Sequence, residues 1–265
     1  MHAIERANRI MASLKEQKVV MVADLSRELG VTEETVRKDL EKLESQQKLN
    51  RVHGGAYLNE GFGTETPVTV RSKIMQKEKM LLAKRCLKLV REKETIYLDC
   101  STSMRYLAKE LAATGKKLTV MTNSLSVAAE VAVNPQIRLI VFGGEYNRDT
   151  ESFEGQAVQD GLRACHIDKA FISSAGVSAE AGITDSTRTE AEIRRQVIRQ
   201  AGACILAVDA TKIGKHAVYV IGTLEDIDYL VTDRSLEQVD KRIAAHLKSL
   251  PVVISDGRED IAEAK

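Results

Sequence analysis

The sequence predicts an α/β protein with a small N-terminal helix-turn-helix module, a β-hairpin wing and then a larger domain built on a parallel sheet. Two observations predict the first part: two short helices joined by a tight turn, and a basic, glycine-containing segment directly after them, all within residues 19–56. The second part is predicted by short apolar runs that alternate with helical segments over residues 71–255. Such alternation is typical of a parallel sheet covered by helices on both faces.

The helix pair forms the first half of the N-terminal module. The first helix is predicted over residues 23–29, and Gly30 follows it where a helix end favours a left-handed residue. Thr32 is the expected N-cap of the second helix. Apolar side chains repeat at helical spacing along the second helix and are expected in the core: Val36, Leu40 and Leu43.

Hydroxyl and basic side chains occupy the outward face of the second helix and the hairpin that follows it. Such side chains reach base edges and phosphates from a helix in the major groove, and wing glycines permit close approach to the DNA backbone. The predicted DNA-contacting residues are Thr32, Thr35, Arg37, Lys38, Lys42, Arg51, His53 and Gly54. The alternative is a helical hairpin whose charges are only solvated, since residues 1–56 carry ten basic and nine acidic side chains.

The segment 35–56, TVRKDLEKLESQQKLNRVHGGA, closely resembles the signature of DeoR-type transcriptional regulators. In that family a Thr-Ile/Val-Arg-Arg-Asp-Leu helix precedes an Arg-x-His-Gly-Gly-Ala wing. The resemblance implies a regulator, more specifically a repressor, that binds double-stranded operator DNA. Lys38 stands where the family usually has arginine, Thr32 where serine is frequent and Gln47 where glycine is common. Lysine keeps the charge but lacks the bidentate fork of arginine.

Composition is that of an ordinary two-domain protein. The 265 residues accommodate a DNA-binding domain at 1–58, a linker at 59–70 and a second domain at 71–265. A net charge of +1 excludes a polycationic binder. Neither a membrane-length apolar run nor a signal-peptide core is present, so we expect a cytoplasmic protein without membrane contact. Four scattered cysteines predict free thiols and no metal site, and no cofactor is expected.

A helix over about 71–91 and seven apolar runs define the larger domain. The runs, which are the predicted strands, are TIYLD at 95–99, KLTVM at 117–121, IRLIVF at 137–142, KAFISS at 169–174, CILAVD at 204–209, DYLVTD at 228–233 and PVVIS at 251–255. Sheets of this kind bind ligands at the carboxyl ends of their strands.

Polar clusters follow four of these predicted strands, at 99–103, 122–124, 143–145 and 209–212. Hydroxyls and free backbone N–H groups at helix N-termini hold anions, and Lys212 adds a cation. Taken singly, each cluster is also an ordinary cap or turn. Their repetition at successive strand ends predicts a ligand that carries a phosphate.

The larger domain resembles the DeoR-type sensor domain, which is similar in fold to ribose-5-phosphate isomerases. In that family the motifs Asp-x-Gly-Thr/Ser-Thr/Ser, Thr-Asn-Ser, Gly-Gly and Asp-x-Ser/Thr-Lys line a sugar-phosphate pocket. By match, the resemblance implies effector-binding roles for Asp99, Ser101, Thr102, Ser103, Thr122, Asn123, Ser124, Gly143, Gly144, Asp209, Thr211 and Lys212. Ser101 replaces the usual glycine. The resemblance also implies a homo-oligomer, either a dimer or a tetramer, formed through the sensor domain.

A sugar-phosphate isomerase with an accessory nucleic-acid-binding domain is the alternative function. Isomerisation needs a carboxylate base beside the sugar, and the isomerases carry an Asp-Gly-Ala-Asp-Glu segment where this chain has SSAGVSAE at 173–180. The remaining candidate bases are Glu180, Asp185, Glu190 and Glu192. The loss of most acids predicts binding without turnover and no catalytic residue.

Two further features near these acids have alternative interpretations. Arg188, Arg194 and Arg195 are predicted to form surface salt bridges in preference to capturing phosphate. Cys100 follows a predicted strand beside the anion site, where it is either a redox-sensing thiol or, as we favour, a small buried filler.

Overall fold

The computed structural model describes residues 2–58 and 68–256. The polypeptide forms two compact units that divide between Gln76 and Lys77. Most of the predicted linker, residues 59–67, lies outside the described residues, and so do residues 257–265. The predicted domain limits at 58 and 71 therefore stay a prediction. In the described part of the chain, no helix is both long and apolar enough to cross a membrane.

The N-terminal unit is a helix-turn-helix with a β-wing, as the sequence predicts. Its elements are α1 (Ala3–Gln17), β1 (Val19–Met21), α2 (Val22–Leu29), α3 (Glu33–Ser45), β2 (Asn50–Val52), β3 (Gly55–Tyr57) and α4 (Val68–Arg71). The three strands form an antiparallel sheet in the order β1-β3-β2. Neither α1 nor β1 was predicted, since both precede the helix pair on which the prediction is based.

The helix ends follow from local sequence. Gly30 ends α2 with a left-handed φ of 64°, and the Thr32 hydroxyl caps α3 by accepting a hydrogen bond from the Thr35 N–H at 3.3 Å. At the other end of α3, Gln47 has a φ of 57°, and the N–H groups of residues 47 and 48 bond to the carbonyls of residues 44 and 43. This is a Schellman cap, a position that favours glycine. It explains in physical terms why glycine is common there in the family that the sequence resembles.

One apolar core holds the three helices and the sheet together. The predicted core residues of α3, Val36, Leu40 and Leu43, are buried against Ile10 and Leu14 of α1. The amphipathic pattern of α3 is therefore confirmed, and α1 supplies the surface against which it packs. The outer face of α3 is exposed to solvent.

The C-terminal unit is an α/β domain. Its elements are α5 (Gln76–Lys88), β4 (Thr95–Leu98), α6 (Thr102–Ala112), β5 (Leu118–Thr122), α7 (Leu125–Val131), β6 (Ile137–Val141), β7 (Glu145–Asn147), β8 (Ser152–Glu154), α8 (Gln156–Arg163), β9 (Ile167–Ile172), β10 (Gly176–Ser178), β11 (Gly182–Asp185), α9 (Arg188–Gln200), β12 (Ala201–Ala207), β13 (Tyr219–Gly222), β14 (Tyr229–Val231), α10 (Leu236–Val239), α11 (Lys241–Lys248) and β15 (Val253–Ser255).

The seven predicted strands form one parallel sheet in the order β15-β14-β12-β9-β4-β5-β6. Successive residues of each strand point to opposite faces, as Ile96 and Tyr97 of β4 illustrate by belonging to different cores. Helices α5, α6 and α7 cover one face, and α8, α9 and α11 cover the other. The predicted doubly covered parallel sheet is confirmed.

One prediction about this unit needs correction, and one feature was not predicted. The helix predicted over about 71–91 is shorter: α5 spans Gln76–Lys88, because residues 72–75 form a turn in which Met75 has a left-handed φ of 53°. The sequence also gave no sign of two small antiparallel sheets, β7-β8 and β10-β11-β13. Their strands have only three or four residues, too few for a clear alternation of apolar side chains.

Candidate functional site

The exposed face of α3 carries several of the predicted DNA-contacting residues. Thr32 and Thr35 stand at its N-terminus with their hydroxyl oxygens 3.0 Å apart. Lys38 and Lys42 are exposed further along the helix. The structure therefore places these four side chains away from the core of the unit, where a helix in the major groove would present them.

Two basic side chains of α3 are paired with acids one turn earlier. The Arg37 guanidinium lies 2.5 Å from Glu33, and the Lys38 ammonium lies 3.5 Å from Glu34. The four side chains are between 48% and 73% exposed. Exposed pairs at this spacing contribute only about 0.3–0.5 kcal/mol each, so a DNA phosphate can replace the acid at small cost.

Glu44 holds the wing against α3. Its carboxylate accepts a hydrogen bond from the Arg51 N–H at 2.9 Å and lies 3.7 Å from the Arg51 guanidinium. His53 and Gly54 form the turn between β2 and β3, and the φ of 80° at Gly54 favours glycine. A groove between α3 and the wing is lined by Val22, Arg37, Leu40, Arg51, Val52, His53, Gly54 and Gly55. Four of the predicted DNA-contacting residues thus meet at one groove.

A half-buried ion pair that the sequence did not predict joins α3 to α1. The Arg6 Nε donates to Asp39 Oδ2 at 2.6 Å, and the two side chains are 14% and 12% exposed. The pair fixes α1 against α3. The only signal in the sequence was an arginine in a helix that lies outside the recognised motif.

In the C-terminal unit, the predicted effector residues lie along the carboxyl edge of the parallel sheet. From the centre of the sheet, β4, β5 and β6 follow one another outward in one direction, and β9, β12, β14 and β15 do so in the other. The strand order therefore reverses between the neighbours β4 and β9. Open α/β sheets form their ligand crevice at such a switch point, beyond the carboxyl ends of the strands.

Asp99 joins the two loops at this switch point. Its Oδ1 accepts a hydrogen bond from the Ser101 N–H at 2.9 Å, and its Oδ2 accepts one from the Ser173 N–H at 2.8 Å. The Arg194 Nε also donates to Oδ2, at 2.8 Å. Because Asp99 is 1% exposed and accepts a backbone bond from each loop, it orders the loops after β4 and β9.

Arg194 is the cation of a buried charge cluster, so the prediction of a surface salt bridge is wrong for this residue. Its Nη1 lies 2.5 Å from Asp185 Oδ2 and 2.8 Å from Glu190 Oε2, and Arg194 itself is 3% exposed. Glu190 lies one helical turn before Arg194 on α9, but Asp99 and Asp185 reach Arg194 only through the tertiary fold. Burial raises the pKa of Asp185, although Arg194 opposes this shift.

The other two arginines differ from Arg194 and from each other. Arg188 forms the predicted surface pair with Glu192, at 2.7 Å. Arg195 instead donates to the backbone carbonyl of Val220.

The four acids that sequence analysis considered as isomerase bases are each held by an arginine. The pairs are Glu180 with Arg242, Asp185 and Glu190 with Arg194, and Glu192 with Arg188. Each of these carboxylates is therefore engaged by a guanidinium in the structure. Among the described residues, no group of three or more His, Cys, Asp and Glu side chains is arranged to hold a metal ion.

Cys100 lies beside the same charge cluster and is buried. Its thiol donates to Glu190 at 3.1 Å. Burial, followed by the negative charge of Glu190, raises the pKa of Cys100 well above its ordinary value. Since redox sensing needs the thiolate, the structure favours the interpretation as a buried filler. The four cysteines are free thiols, as predicted.

Several predicted effector residues also complete local structure. Ser101 caps α6 by accepting a hydrogen bond from the Met104 N–H at 3.2 Å, and Ser124 caps α7 in the same way through Val127 at 3.3 Å. Ser101 has a φ of −70°, which any residue can adopt. A serine in place of the family's glycine is therefore unstrained and supplies a cap.

Thr122 and Asn123 are enclosed at the end of β5. The Thr122 hydroxyl accepts a hydrogen bond from the Ser124 N–H at 3.0 Å. The Asn123 side chain accepts one from the Tyr97 hydroxyl at 2.8 Å and donates one to the Phe153 carbonyl at 3.0 Å. These contacts attach the β7-β8 hairpin to the edge of the sheet, so both residues shape the crevice from within.

The remaining predicted residues lie at the ends of β4, β6 and β12. Thr102 and Ser103 open α6 and are buried. Gly143 and Gly144 follow β6, and a Cβ on Gly144 would lie 2.3 Å from the Glu154 carbonyl oxygen. At the end of β12, Asp209 caps a 3₁₀ turn that comprises Ala210–Lys212, where Thr211 and Lys212 are half-buried. The fold thus brings the twelve residues to one edge of one sheet.

Comparison with known proteins adds family matches in both units. A family model described as a DeoR-like helix-turn-helix domain matches residues 6–62, and one described as a DeoR C terminal sensor domain matches residues 74–234. The chain is 34% identical over 238 residues to the HTH-type transcriptional regulator GolR of Listeria innocua, which covers 90% of this chain and 93% of that protein. It is 31% identical over 234 residues to the HTH-type transcriptional repressor GlcR of Bacillus subtilis, covering 88% and 90%.

A more distant relative is the glycerol-3-phosphate regulon repressor of Escherichia coli, which is 27% identical over 233 residues, 88% of this chain and 92% of that protein. Among solved structures, a D-ribose-5-phosphate isomerase in complex with phospho-erythronic acid is similar, with a TM-score of 0.40 and 16% identity. The similarity covers 52% of this chain and 54% of that one.

Proposed function

Because this chain belongs to the DeoR family of transcriptional regulators, we propose that it represses genes of sugar metabolism and is controlled by a phosphorylated sugar. The protein is a DNA-binding regulator with a sensor domain, and its relatives are named regulators and repressors, not enzymes. The proposal concerns what this regulator binds: operator DNA at the N-terminal unit and a sugar phosphate at the C-terminal unit.

The groove between α3 and the wing supports the DNA part of the proposal. It combines cationic side chains from both elements, Arg37 and Arg51, with His53 and two glycines of the wing. A helix seated in the major groove and a wing along the phosphate backbone would use these groups together. Lys38 and Lys42 on the exposed face of α3 would supply further contacts.

The carboxyl edge of the sheet supports the effector part, and the polar loops at the switch point are the main observation behind it. Serine and threonine side chains surround the N-termini of α6 and α7, where backbone N–H groups and the helix dipole favour an anion. The half-buried Lys212 lies at the same edge. The names of two relatives support the same class of effector: one is a lactose phosphotransferase system repressor and the other a glycerol-3-phosphate regulon repressor.

Regulation would follow from linkage between the two ligands. The regulator would have two conformations, one that can bind the operator and one in which the DNA-binding units are misplaced. A sugar phosphate that binds the second conformation more tightly shifts the population toward it. Operator affinity then falls by the ratio of the two effector affinities. One small winged module buries little DNA surface, so we infer that two modules act together in a homo-oligomer, a dimer or a tetramer. A regulator of operator DNA works in the cytoplasm.

Fluorescence anisotropy tests the proposed function. The purified protein is titrated onto DNA from upstream of its own gene and onto a shuffled control, at about 0.15 M salt, where nonspecific attraction is screened. Ribose 5-phosphate, fructose 1-phosphate, glucose 6-phosphate and glycerol 3-phosphate are then added, with the unphosphorylated compounds as controls. We expect tight binding to the upstream DNA alone, released by one phosphate ester and not by its parent compound. Equal binding to both DNAs would contradict the proposal.

Lys38→Ala tests whether the exposed face of α3 contacts the bases of the operator. If Lys38 contacts a base edge, its loss weakens binding to the upstream DNA by about 1–3 kcal/mol and leaves binding to shuffled DNA nearly unchanged. The measurement is the same anisotropy titration on both DNAs. Lys15→Ala removes an exposed lysine of α1 and serves as the matched control. Equal losses on both DNAs would make Lys38 a phosphate contact.

Lys212→Ala tests the effector site. Removing a charge-assisted contact to a phosphate costs about 1.5–3 kcal/mol, so the concentration of sugar phosphate that releases DNA should rise at least tenfold. DNA affinity without effector should not change. Lys215→Ala, an exposed lysine three residues later, is the control. An unaltered release curve for Lys212→Ala would remove this residue from the site.

A further inference from the structure

The buried charge cluster around Arg194 joins three separate parts of the sensor unit. Arg194 and Glu190 belong to α9, Asp185 ends β11, and Asp99 follows β4. The four residues are between 1% and 5% exposed. One guanidinium therefore contacts three carboxylates from three elements, beside the strand ends where the effector is proposed to bind.

Arg194 reaches the effector crevice through Asp99. The Asp99 carboxylate holds the N–H groups of Ser101 and Ser173, which begin the loops after the two central strands β4 and β9. The same carboxylate accepts the bond from the Arg194 Nε at 2.8 Å. One side chain therefore connects Arg194 to both loops.

The geometry of the cluster shows why the position of Asp99 depends on Arg194. Three carboxylates share this buried site with a single guanidinium, which makes bonds of 2.5–2.8 Å with all three acids. Without Arg194, Asp99 would lose its cationic partner and the bond that fixes the orientation of its Oδ2.

We propose that Arg194 is a positioning residue of the effector site: it fixes the orientation of the Asp99 carboxylate, and thereby holds the loops after β4 and β9 in the arrangement that receives the ligand. This inference rests on the proposed function, since it assumes that the sensor unit binds an effector. The effect of Arg194 on the two loops can nevertheless be measured without a ligand. Arg194 itself is enclosed by protein and makes no contact with the effector in this scheme.

Two variants of the full-length protein test the proposal. Arg194→Lys keeps the charge but replaces the fork by a single ammonium group. The double variant Arg194→Met/Glu190→Gln removes one cation and one anion together, so the net charge of the cluster is unchanged and fewer carboxylates lose their partner than in Arg194→Met alone. Arg188→Met is the matched control, because it removes an arginine from the exposed side of the same helix.

The first measurement is amide hydrogen exchange without ligand, read by mass spectrometry in peptides that contain the Ser101 and Ser173 amides, with α11 as an internal reference. We expect at least tenfold faster exchange in both peptides of the double variant and an unchanged rate in α11. Arg194→Lys should be intermediate, and Arg188→Met should match the wild type. Equal acceleration in all peptides would indicate a general structural role, and unchanged exchange in both variants would show no role; either result overturns the proposal.

The second measurement is calorimetric binding of the four sugar phosphates named above. Supporting groups of a binding site typically change affinity by about 10–100-fold. We expect a loss of this size in the double variant, a smaller loss in Arg194→Lys and none in Arg188→Met. Wild-type affinity in both Arg194 variants would overturn the proposal. If the wild type itself binds none of the four compounds, the proposed effector class fails, and the exchange measurement still decides the role of Arg194.

Discussion

Gly55→Ala is expected to destabilise the N-terminal unit by about 3 kcal/mol and to abolish specific DNA binding. A Cβ at this position would lie 2.3 Å from the Val20 carbonyl oxygen, which belongs to the neighbouring strand β1. Neither atom can move alone, because residues 19–21 pair with residues 55–57 through the backbone. Overpacking of this kind costs typically 1–3 kcal/mol, and here the obstacle is backbone, so we expect the upper end.

Hydrogen exchange of α3 in the full-length protein measures this destabilisation, and anisotropy on upstream DNA measures the loss of binding. Gly54→Ala is the matched control, since its Cβ would meet only a Met21 methyl carbon at 3.6 Å. The left-handed φ at Gly54 makes that substitution cost roughly 1–2 kcal/mol. If Gly54→Ala proves more damaging than Gly55→Ala, backbone conformation and not strand packing is the dominant constraint on the wing.

Gly55 shows what the sequence can and cannot reveal about this unit. The Gly-Gly pair was recognisable as a wing turn, and we interpreted both glycines as allowing approach to DNA. Gly54 does form the turn, but Gly55 is required by β1, a strand of three residues that local pattern did not predict. The helix pair was predictable because its caps and apolar repeat are local. The strand that closes the wing depends on a tertiary contact.

The same distinction holds in the C-terminal unit. Each predicted strand has its counterpart in the sheet, since a buried parallel strand is a continuous apolar run that sequence displays directly. The loops at the strand ends were predictable for the same reason. The role of Asp99 in these loops was not predictable, because its partners Ser173 and Arg194 lie 74 and 95 residues away along the chain. Arg194 was predicted to form a surface salt bridge, because arginines that alternate with acids at helical spacing are typical of exposed helix faces.

Arg194→Met is expected to lower the free energy of unfolding of the C-terminal unit by about 3–5 kcal/mol at neutral pH. Removing one partner of a buried ion pair leaves uncompensated charge in the interior, and costs of this size are typical. Here Asp99, Asp185 and Glu190 would remain without their common cation. Denaturant unfolding of the full-length protein, followed by circular dichroism, measures the difference. Arg188→Met on the same helix should cost no more than about 0.5 kcal/mol, because Arg188 is exposed and its partner Glu192 is only half-buried.

The cost of Arg194→Met should depend on pH, and the sign follows from the direction in which burial shifts the carboxyl groups. Burial already raises the pKa of Asp185 in the presence of Arg194, and removing the cation raises it further. A group whose pKa is higher in the folded state contributes stability below its unfolded pKa, and this contribution is lost as the pH rises through the folded value. The variant should therefore lie closer to the wild type at pH 5 than at pH 7.5. If Arg194→Met lowers the free energy of unfolding equally at both pH values, the prediction is wrong. Arg194 would then stabilise the unit through packing, and its charge would not affect the pKa of the carboxyl groups.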